Sequence, residues 1–557
     1  MRTFNEEKQE KKVEDLLEKE AEDLAVILSQ KYGLSYVNLI GVSINTDALR
    51  LIEEAAARKA LIAPFKLVGN KVHVAIFTPE NTTTKASLED LTSKGYVPII
   101  YMTSKKSLEH AWERYAEVSR AQETKAGVLD ISSEELSDFI KRVHTTNDIK
   151  QLIDEMLKSK ERQSTSHIFE IILAGGFAVG ASDIHIEPEE STIRLRFRLD
   201  GVLHDISFFT NSIYQLLLSR IKLISGLKLN IKDTAQDGRF SVTVENTAIE
   251  VRTSMLPGNY GESVVMRILN PKEISVPLES LGIEPFLFSI IEKEIQKPNG
   301  MILVTGPTGS GKTTTLYAFL KKIYSIEIKI ITIEDPIEYH LAGITQTQTD
   351  PEAGYDFLKG LTSALRQDPD VIMVGEIRDG ETARTAINAS LTGHLVFSTL
   401  HTNNAAGTIP RLIDLGAEPK VLSSAINIFL AQRLVRKLCS ACKKESAPTP
   451  EEKELIERVL KTIPRDHTKT VEKIWRAGAC VECNNTGYKG RIGIFEGILF
   501  DESIEKTVSE HVSAREIKKA AAGQGILDML QDGIMKVLSG TTSLDELARV
   551  VDVNEKE

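Results

Sequence analysis

The sequence predicts a multidomain α/β protein: a parallel-sheet domain in the C-terminal half, preceded by two smaller α/β domains. Three observations predict it. The chain has 557 residues, enough for about three or four domains at roughly 150 residues each. From residue 284 onward, strand-like apolar runs alternate with helical periodicity, the pattern of a mainly parallel sheet. Within that half, the apolar run at residues 301–304 passes into an amphipathic helix through Gly306, Pro307, Thr308, Gly309, Ser310, Gly311, Lys312, Thr313 and Thr314. These complete G-x-x-x-x-G-K-[ST] in the strand-loop-helix context that a phosphate-binding loop requires.

That loop has a physical logic. Gly306, Gly309 and Gly311 let the backbone curl so that its N–H groups point at an anion, and the helix N-terminus adds its positive dipole end. Lys312 places a charge on the outer phosphates, and Thr313 offers its hydroxyl to Mg²⁺. Composition sets bounds on the rest. Apolar content of 41% and charged content of 26% are ordinary for a soluble globular protein. A formal net charge of −11 disfavours a general nucleic-acid binder. No apolar run approaches the ~18 residues of a membrane span, and the charged N-terminus has no apolar signal-peptide core. The expectation is a cytoplasmic protein that meets a membrane only through partners.

In chain order, residues 1 to about 30 carry an apolar stripe of Leu16, Leu17, Ala21, Leu24, Ala25 and Leu28. It reads as an amphipathic helix packed on its own domain, because its polar face mixes acid and base. Residues 34–120 alternate short strands and helices, with a hairpin turning at Gly69-Asn70; the N-terminal domain is placed at 1–123. The polar run 124–149 reads as a linker. In the middle domain, 150–272, Ile193, Leu195, Phe197 and Leu199 alternate with Arg194, Arg196, Arg198 and Asp200, and Asp200-Gly201 turns the chain into the next strand. The three arginines form either a solvated strand face or an anion-binding one. Arg252 and Arg267 lie inside apolar strands, where an unpaired cation would be costly, so an anionic partner is expected for them.

In the domain placed at 284–557, three strands end in polar residues, and ligands in parallel sheets sit at the carboxyl ends of strands. Glu376 ends one strand. It can bind Mg²⁺ through water or orient the attacking water; the second role is preferred because Thr313 already supplies a metal ligand. Glu334, Asp335 and Glu338 form a second acidic cluster suited to the magnesium shell, or to strand-end capping. His394 and His401 flank one strand, as structural residues or as sensors of phosphate. Arg366 and Arg378 suit bridges between subunits or plain surface ion pairs. Cys439, Cys442, Cys480 and Cys483 form two C-x-x-C pairs with 37 residues between them. Four thiolates close a structural zinc site, and the long spacer predicts a helical excursion within segment 433–495.

These motifs resemble one family. ASDIHIEP, RFRLDGVL, QDGRF, GPTGSGKTTTLYA, ITIEDPIEY, LRQDPDVIMVGEIRD, TGHLVFSTLHTNNA, the four cysteines and GYKGRIGIFE stand in the order of the secretion-superfamily traffic ATPases, in the branch that assembles type IV pili or serves type II secretion. The resemblance covers roughly residues 30–550. It implies a RecA-like P-loop ATPase domain behind a PAS-like middle domain and a small N-terminal domain. It also implies a homohexamer that hydrolyses ATP with Mg²⁺, working with an inner-membrane platform protein and cytoplasmic assembly proteins. By similarity, Glu334 and Glu338 belong to an Asp box, Glu376 to an atypical Walker B, and His394 and His401 to a His box. Arg252 and Arg267 match arginines that reach nucleotide from the middle domain, and Arg366 and Arg378 match arginines of the nucleotide domain. Thr362 stands where relatives often carry a further arginine. The N-terminal domain and the tetracysteine favour assembly over retraction or DNA uptake. A nucleotide-gated scaffold with little turnover is the alternative outside the motor class.

Overall fold

A computed structural model describes residues 21–553, apart from 43, 69–70, 118–121, 125–127, 131–142, 144, 159–164, 245–246, 271–275, 465–470 and 511. Leu16 and Leu17 of the expected stripe, and the Gly69-Asn70 turn, lie outside the described residues. Among residues 21–32, which are helical, Ala25 is buried but Leu24 is 56% exposed. The helix meets its domain partly through a polar contact: Glu22 Oε1 accepts from Ser104 Oγ at 2.6 Å and from Ser107 Oγ at 3.2 Å.

The first domain is a four-stranded sheet in the order Ser35–Tyr36, Val97–Met102, Lys71–Ile76, Ile62–Val68. Every second residue of such strands turns inward, and Ile62, Val72, Val74 and Ile76 join Leu108 and Trp112 in its core.

The second domain is an eight-stranded sheet. Its strands run Gln122–Thr124, Val128–Asp130, Gln236–Val244, Thr247–Gly258, Gly261–Leu269, Asp183–Pro188, Ile193–Leu199, Val202–Phe209. The run expected as a linker thus contributes one short strand, Val128–Asp130, with Val128 and Leu129 pairing in parallel with Ser241 and Val242, while Gln122–Thr124 straddles the boundary placed at 123/124. The alternation expected from sequence is present: Ile193, Leu195, Phe197 and Leu199 are buried with Tyr214, Leu217 and Ile221 of the helix Asn211–Ile224. Asp200 and Gly201 take φ of 48° and 86°, the left-handed pair that a two-residue hairpin turn demands. On the other face Arg194 pairs with Asp205 at 2.8 Å, Arg196 with Glu187, and Arg198 with Asp183 at 3.3 Å. These arginines have partners within their own sheet.

The third domain carries a seven-stranded sheet, ordered Thr345–Gln348, Ile330–Glu334, Val371–Val374, Leu395–Leu400, Gly300–Thr305, Ile426–Leu438, Tyr488–Leu499. All neighbours but the last pair are parallel. Gly300–Thr305, Val371–Val374 and Leu395–Leu400 are buried along their whole length, as strands covered on both faces must be. The C-terminal helices fasten to this sheet through Arg436, whose guanidinium donates twice to the buried Glu546, at 2.9 and 2.7 Å. The helical excursion expected between the cysteine pairs is Pro450–Thr462, closed by a capping box of Thr449 and Glu452.

Lys222 and Glu262 form a buried ion pair at 2.5 Å in the middle domain, with side chains 2% and 6% exposed. Removing one member strands the other charge away from water. Glu262→Ala is therefore expected to lower unfolding stability by about 3 kcal/mol, read by denaturant titration; a loss below ~1 kcal/mol would contradict the pairing.

Candidate functional site

The phosphate loop leaves the carboxyl end of Gly300–Thr305. Gly306, Gly309 and Gly311 adopt φ of 143°, 78° and 92°, conformations that only glycine takes without strain. Space reinforces the choice: a Cβ on Gly306 would lie 2.4 Å from the Gln432 carbonyl oxygen, and one on Gly311 would lie 2.8 Å from Gln432 Nε2. Gln432 is buried and its Oε1 accepts from Thr315 Oγ1 at 2.7 Å. It braces the loop from behind, and sequence reasoning missed it; a glutamine inside the apolar run INIFLAQRLV was the available signal.

Gly311 caps the helix Lys312–Ile323. Pro307, Thr308 and Gly309 are exposed, and Thr313 and Thr314 are half-exposed at the first turn. Ser310 Oγ is buried with no hydrogen-bond partner. Lys312 Nζ donates to the Gly306 and Pro307 carbonyls at 2.8 and 3.2 Å. Burial holds its ammonium below the ordinary lysine range, while the charge of Glu376 pulls the other way. A curled backbone, a buried orphan hydroxyl and a partly desolvated lysine together fit a bound polyphosphate.

Glu376 follows the strand Val371–Val374 at the same sheet edge. Arg378 Nη2 donates to Glu376 Oε1, and His401 Nε2 lies 3.3 Å from Oε2. Burial raises the Glu376 carboxyl, but Arg378 and His401 outweigh it and hold it below the usual range. Arg378 Nη1 also lies 3.7 Å from Asp335 Oδ2. Lys312, Glu376, Arg378 and His401 thus form one electrostatic cluster. The Arg366 guanidinium, by contrast, donates to its neighbour Ser363 Oγ at 3.2 Å.

Glu334 ends the strand Ile330–Glu334 and is 3% exposed. Tyr317 donates to its Oε2, while Thr332 and Gln346 donate to its Oε1 at 2.5 and 3.1 Å. Burial raises its carboxyl against these donors. Glu338 faces the middle domain. Arg252 Nη1 lies 3.3 Å from Glu338 Oε2, and its Nη2 donates to the Ile337 carbonyl at 2.7 Å. Arg252 therefore already touches the edge on which the nucleotide loop lies.

Two expectations need correction. His394 and His401 were expected near one phosphate site, but the strand Leu395–Leu400 separates them. His401 stands at its carboxyl end; His394 stands at the opposite end, with Nδ1 3.0 Å from the Ala389 carbonyl. Within one chain, His394 is not brought to the loop. Arg267 has the anionic partner expected of it, but the apolar surroundings read from its strand need correction. Its side chain is 60% exposed, because strand alternation turns it outward, and it bonds Asp183 Oδ1 at 3.0 Å. Arg239, Arg252 and Arg267 nevertheless stand directly opposite one another on adjacent strands, so one row across the sheet carries three guanidinium groups.

A cavity of about 460 Å³ opens beside the loop, between Gly311, Thr314, Leu434 and Arg436 of the nucleotide domain and Asp200 and His204 of the middle domain. Its far wall is the cysteine segment. The four Sγ atoms of Cys439, Cys442, Cys480 and Cys483 lie within 4.8 Å of one another. The separations 439–480, 442–483 and 480–483 are 3.8, 3.7 and 3.6 Å. Tetrahedral Zn–S bonds of 2.3 Å require about 3.8 Å, so the donor set fits zinc. No described helix is long and apolar enough to cross a membrane.

A phosphate loop at the carboxyl edge of a parallel sheet, with a strand-end glutamate beside its lysine, defines a P-loop nucleotide-hydrolase domain. The chain belongs to the Type II/IV secretion system protein family, whose model matches residues 157–549; residues 32–122 match the MshEN domain. The resemblance drawn from the motifs, and the α/β RecA-like fold with it, are borne out. The chain is 37% identical to the type IV pilus assembly ATPase PilB of Myxococcus xanthus over 530 residues, 95% of this chain and 91% of that one. It is 44% identical to the type II secretion system protein E of Aeromonas hydrophila over 398 residues, 71% and 77% of the two chains. The crystal structure of the Yersinia pseudotuberculosis ATPase DotB superposes with a TM-score of 0.51 at 20% identity, covering 71% of this chain and 97% of that one; it supports the fold alone.

The depressed carboxyl of Glu376 has a pH signature. Such a group adds stability above its unfolded value, and the gain is lost as pH falls through its folded value. Arg378→Ala is expected to lower stability at neutral pH by about 0–1 kcal/mol, the exposed arginine being screened by water. The difference between the two chains is expected to vanish on acidification below the ordinary value of 4.5. Thermal unfolding across pH checks this, and a difference that widens in acid would contradict it.

Proposed function

We propose that this chain is an ATP-hydrolysing motor for pilus or pseudopilus assembly, acting as a homohexamer. It works at the cytoplasmic side of the inner membrane against a platform protein and cytoplasmic assembly proteins. The observation that carries the reading is Lys312 beside Glu376 at the glycine cradle, with Arg252 of another domain bonded to Ile337 and Glu338 after the strand that pairs with Val371–Val374. The names of the assembly-type relatives support the pilus and secretion part; retraction or DNA uptake is the less supported motor.

Residues 306–314 wrap the phosphates, and the cavity beside Gly311 and Thr314 is of a size that takes a nucleoside. Thr313 would hold Mg²⁺, which when bound would neutralise charge developing on the phosphates, and Glu334 and Glu338 are assigned to its water shell. Glu376 orients the attacking water, and His401 and Arg378 fix its carboxylate. The terminal phosphate draws Arg252 and Arg267 away from Ile337, Glu338 and Asp183, closing the middle domain on the nucleotide. Cleavage removes that charge and the domains part. His394, at the opposite end of its strand, has no role in this scheme. The four cysteines hold a structural zinc ion.

Lys312→Ala is expected to abolish phosphate release from ATP, and Glu376→Gln to retain nucleotide binding while slowing turnover by about 10² or more. Unchanged hydrolysis in Lys312→Ala would overturn the site. Negligible turnover by the natural hexamer would favour a nucleotide-gated scaffold. Elemental analysis is expected to give one zinc per protomer, reduced in Cys483→Ser with a lowered melting temperature; a metal-free chain with a disulfide between the pairs would contradict the zinc assignment.

A further inference from the structure

Glu496 lies in the strand Tyr488–Leu499, 91 residues from the loop it touches. Register explains the contact. Thr305 stands opposite Ala431, and Ala431 opposite Glu496. Residues directly opposed on neighbouring strands project from the same face, so all three side chains share one row where the phosphate loop departs. Two strand spacings put Thr305 and Glu496 about 10 Å apart, with the small Ala431 between them.

The segment 401–407 spans that gap. At one end Thr402 N donates to Thr305 Oγ1 at 2.8 Å, and the two hydroxyls lie 2.7 Å apart. At the other, Ala405 N donates to Glu496 Oε1 at 2.6 Å. Between them Thr402 Oγ1 donates to the Asn404 carbonyl at 3.0 Å, and Asn404 Oδ1 accepts from Gly407 N at 2.8 Å. Ala405 is fully buried. The second Glu496 oxygen accepts from Met529 N at 3.3 Å, at the N-terminus of the helix Met529–Leu538, where a negative group is favoured.

His401 has little else to hold it. Its side chain is 54% exposed and meets Glu376 at 3.3 Å, so its position follows the backbone of 401–407 more than side-chain packing. We infer that Glu496 is a positioning residue for ATP hydrolysis: it fixes the loop that presents His401 to Glu376. The inference rests on the reading of Glu376 and His401 as members of the hydrolytic cluster. A merely structural role, tying strand to helix, would alter stability without acting through His401.

A double-mutant cycle on the full-length hexamer separates the two. Phosphate release gives kcat and KM for ATP in Glu496→Ala, His401→Ala and the double variant, with melting temperatures alongside. Glu496→Ala is expected to lower kcat about ten-fold with KM within about two-fold, as misplacement of a catalytic group does. In the His401→Ala background its effect is expected to shrink below about two-fold. Should Glu496→Ala fail to fold, Glu496→Gln keeps one acceptor for Ala405 N, and the same cycle is run with it. Equal losses in both backgrounds, or a lowered melting temperature with normal kcat, would overturn the inference alone. Normal turnover in His401→Ala would overturn the cluster on which it stands.

Discussion

Parallel strands in register deliver their following loops to one edge of the sheet, and the functional arrangement here depends on that constraint. Thr305 pairs with Leu400, and Val374 with Ser398, so the phosphate loop, Glu376 and His401 emerge side by side. Glu334 ends the next strand, in pairing with Gln348. None of these positions needs the others as a sequence neighbour. A slip of one strand would send buried residues outward and scatter the charges, which is why the apolar cores above and below the sheet matter to the chemistry.

The same edge receives the middle domain. Arg252 spends its donors on Glu250, Ile337 and Glu338, and its opposite number Arg267 on Asp183. An exposed arginine bonded to a carboxylate exchanges that partner for a phosphate at modest cost, since both offer planar or forked acceptors to one guanidinium. Two further contacts tie the domains on the side of the cysteine segment: Thr146 N donates to Asn484 Oδ1 and Gly490 N to Asp200 Oδ2, both at 2.8 Å. The middle domain is thus bonded to the third domain at two places, through Arg252 at Ile337 and Glu338 and through Thr146 and Asp200 at the cysteine segment.

Legibility followed the range of the interactions. The phosphate loop was readable because its glycines answer local backbone demands, visible in the φ of Gly306, Gly309 and Gly311. The cysteine cluster was readable because four equal ligands at paired spacing leave few other uses. The alternation of Ile193 to Leu199 placed one strand correctly on its core. Long-range facts were not readable. Gln432 and Glu496 act through strand order, which sequence does not display. His394 and His401 both adjoin one strand, but a strand has two ends, and only its direction tells which meets the ligand. Arg267 sits among apolar neighbours because alternate residues face opposite sides, so its surroundings in sequence were not those in space.

A structure of the full chain bound to a non-hydrolysable ATP analogue tests the central claim most directly. The account requires Arg252 and Arg267 to leave Ile337, Glu338 and Asp183 and to lie about 2.7–2.9 Å from oxygens of the terminal phosphate, as charge-assisted bonds do. Phosphates seated in the glycine cradle while both arginines keep their present partners, and the middle domain its present pose, would contradict it.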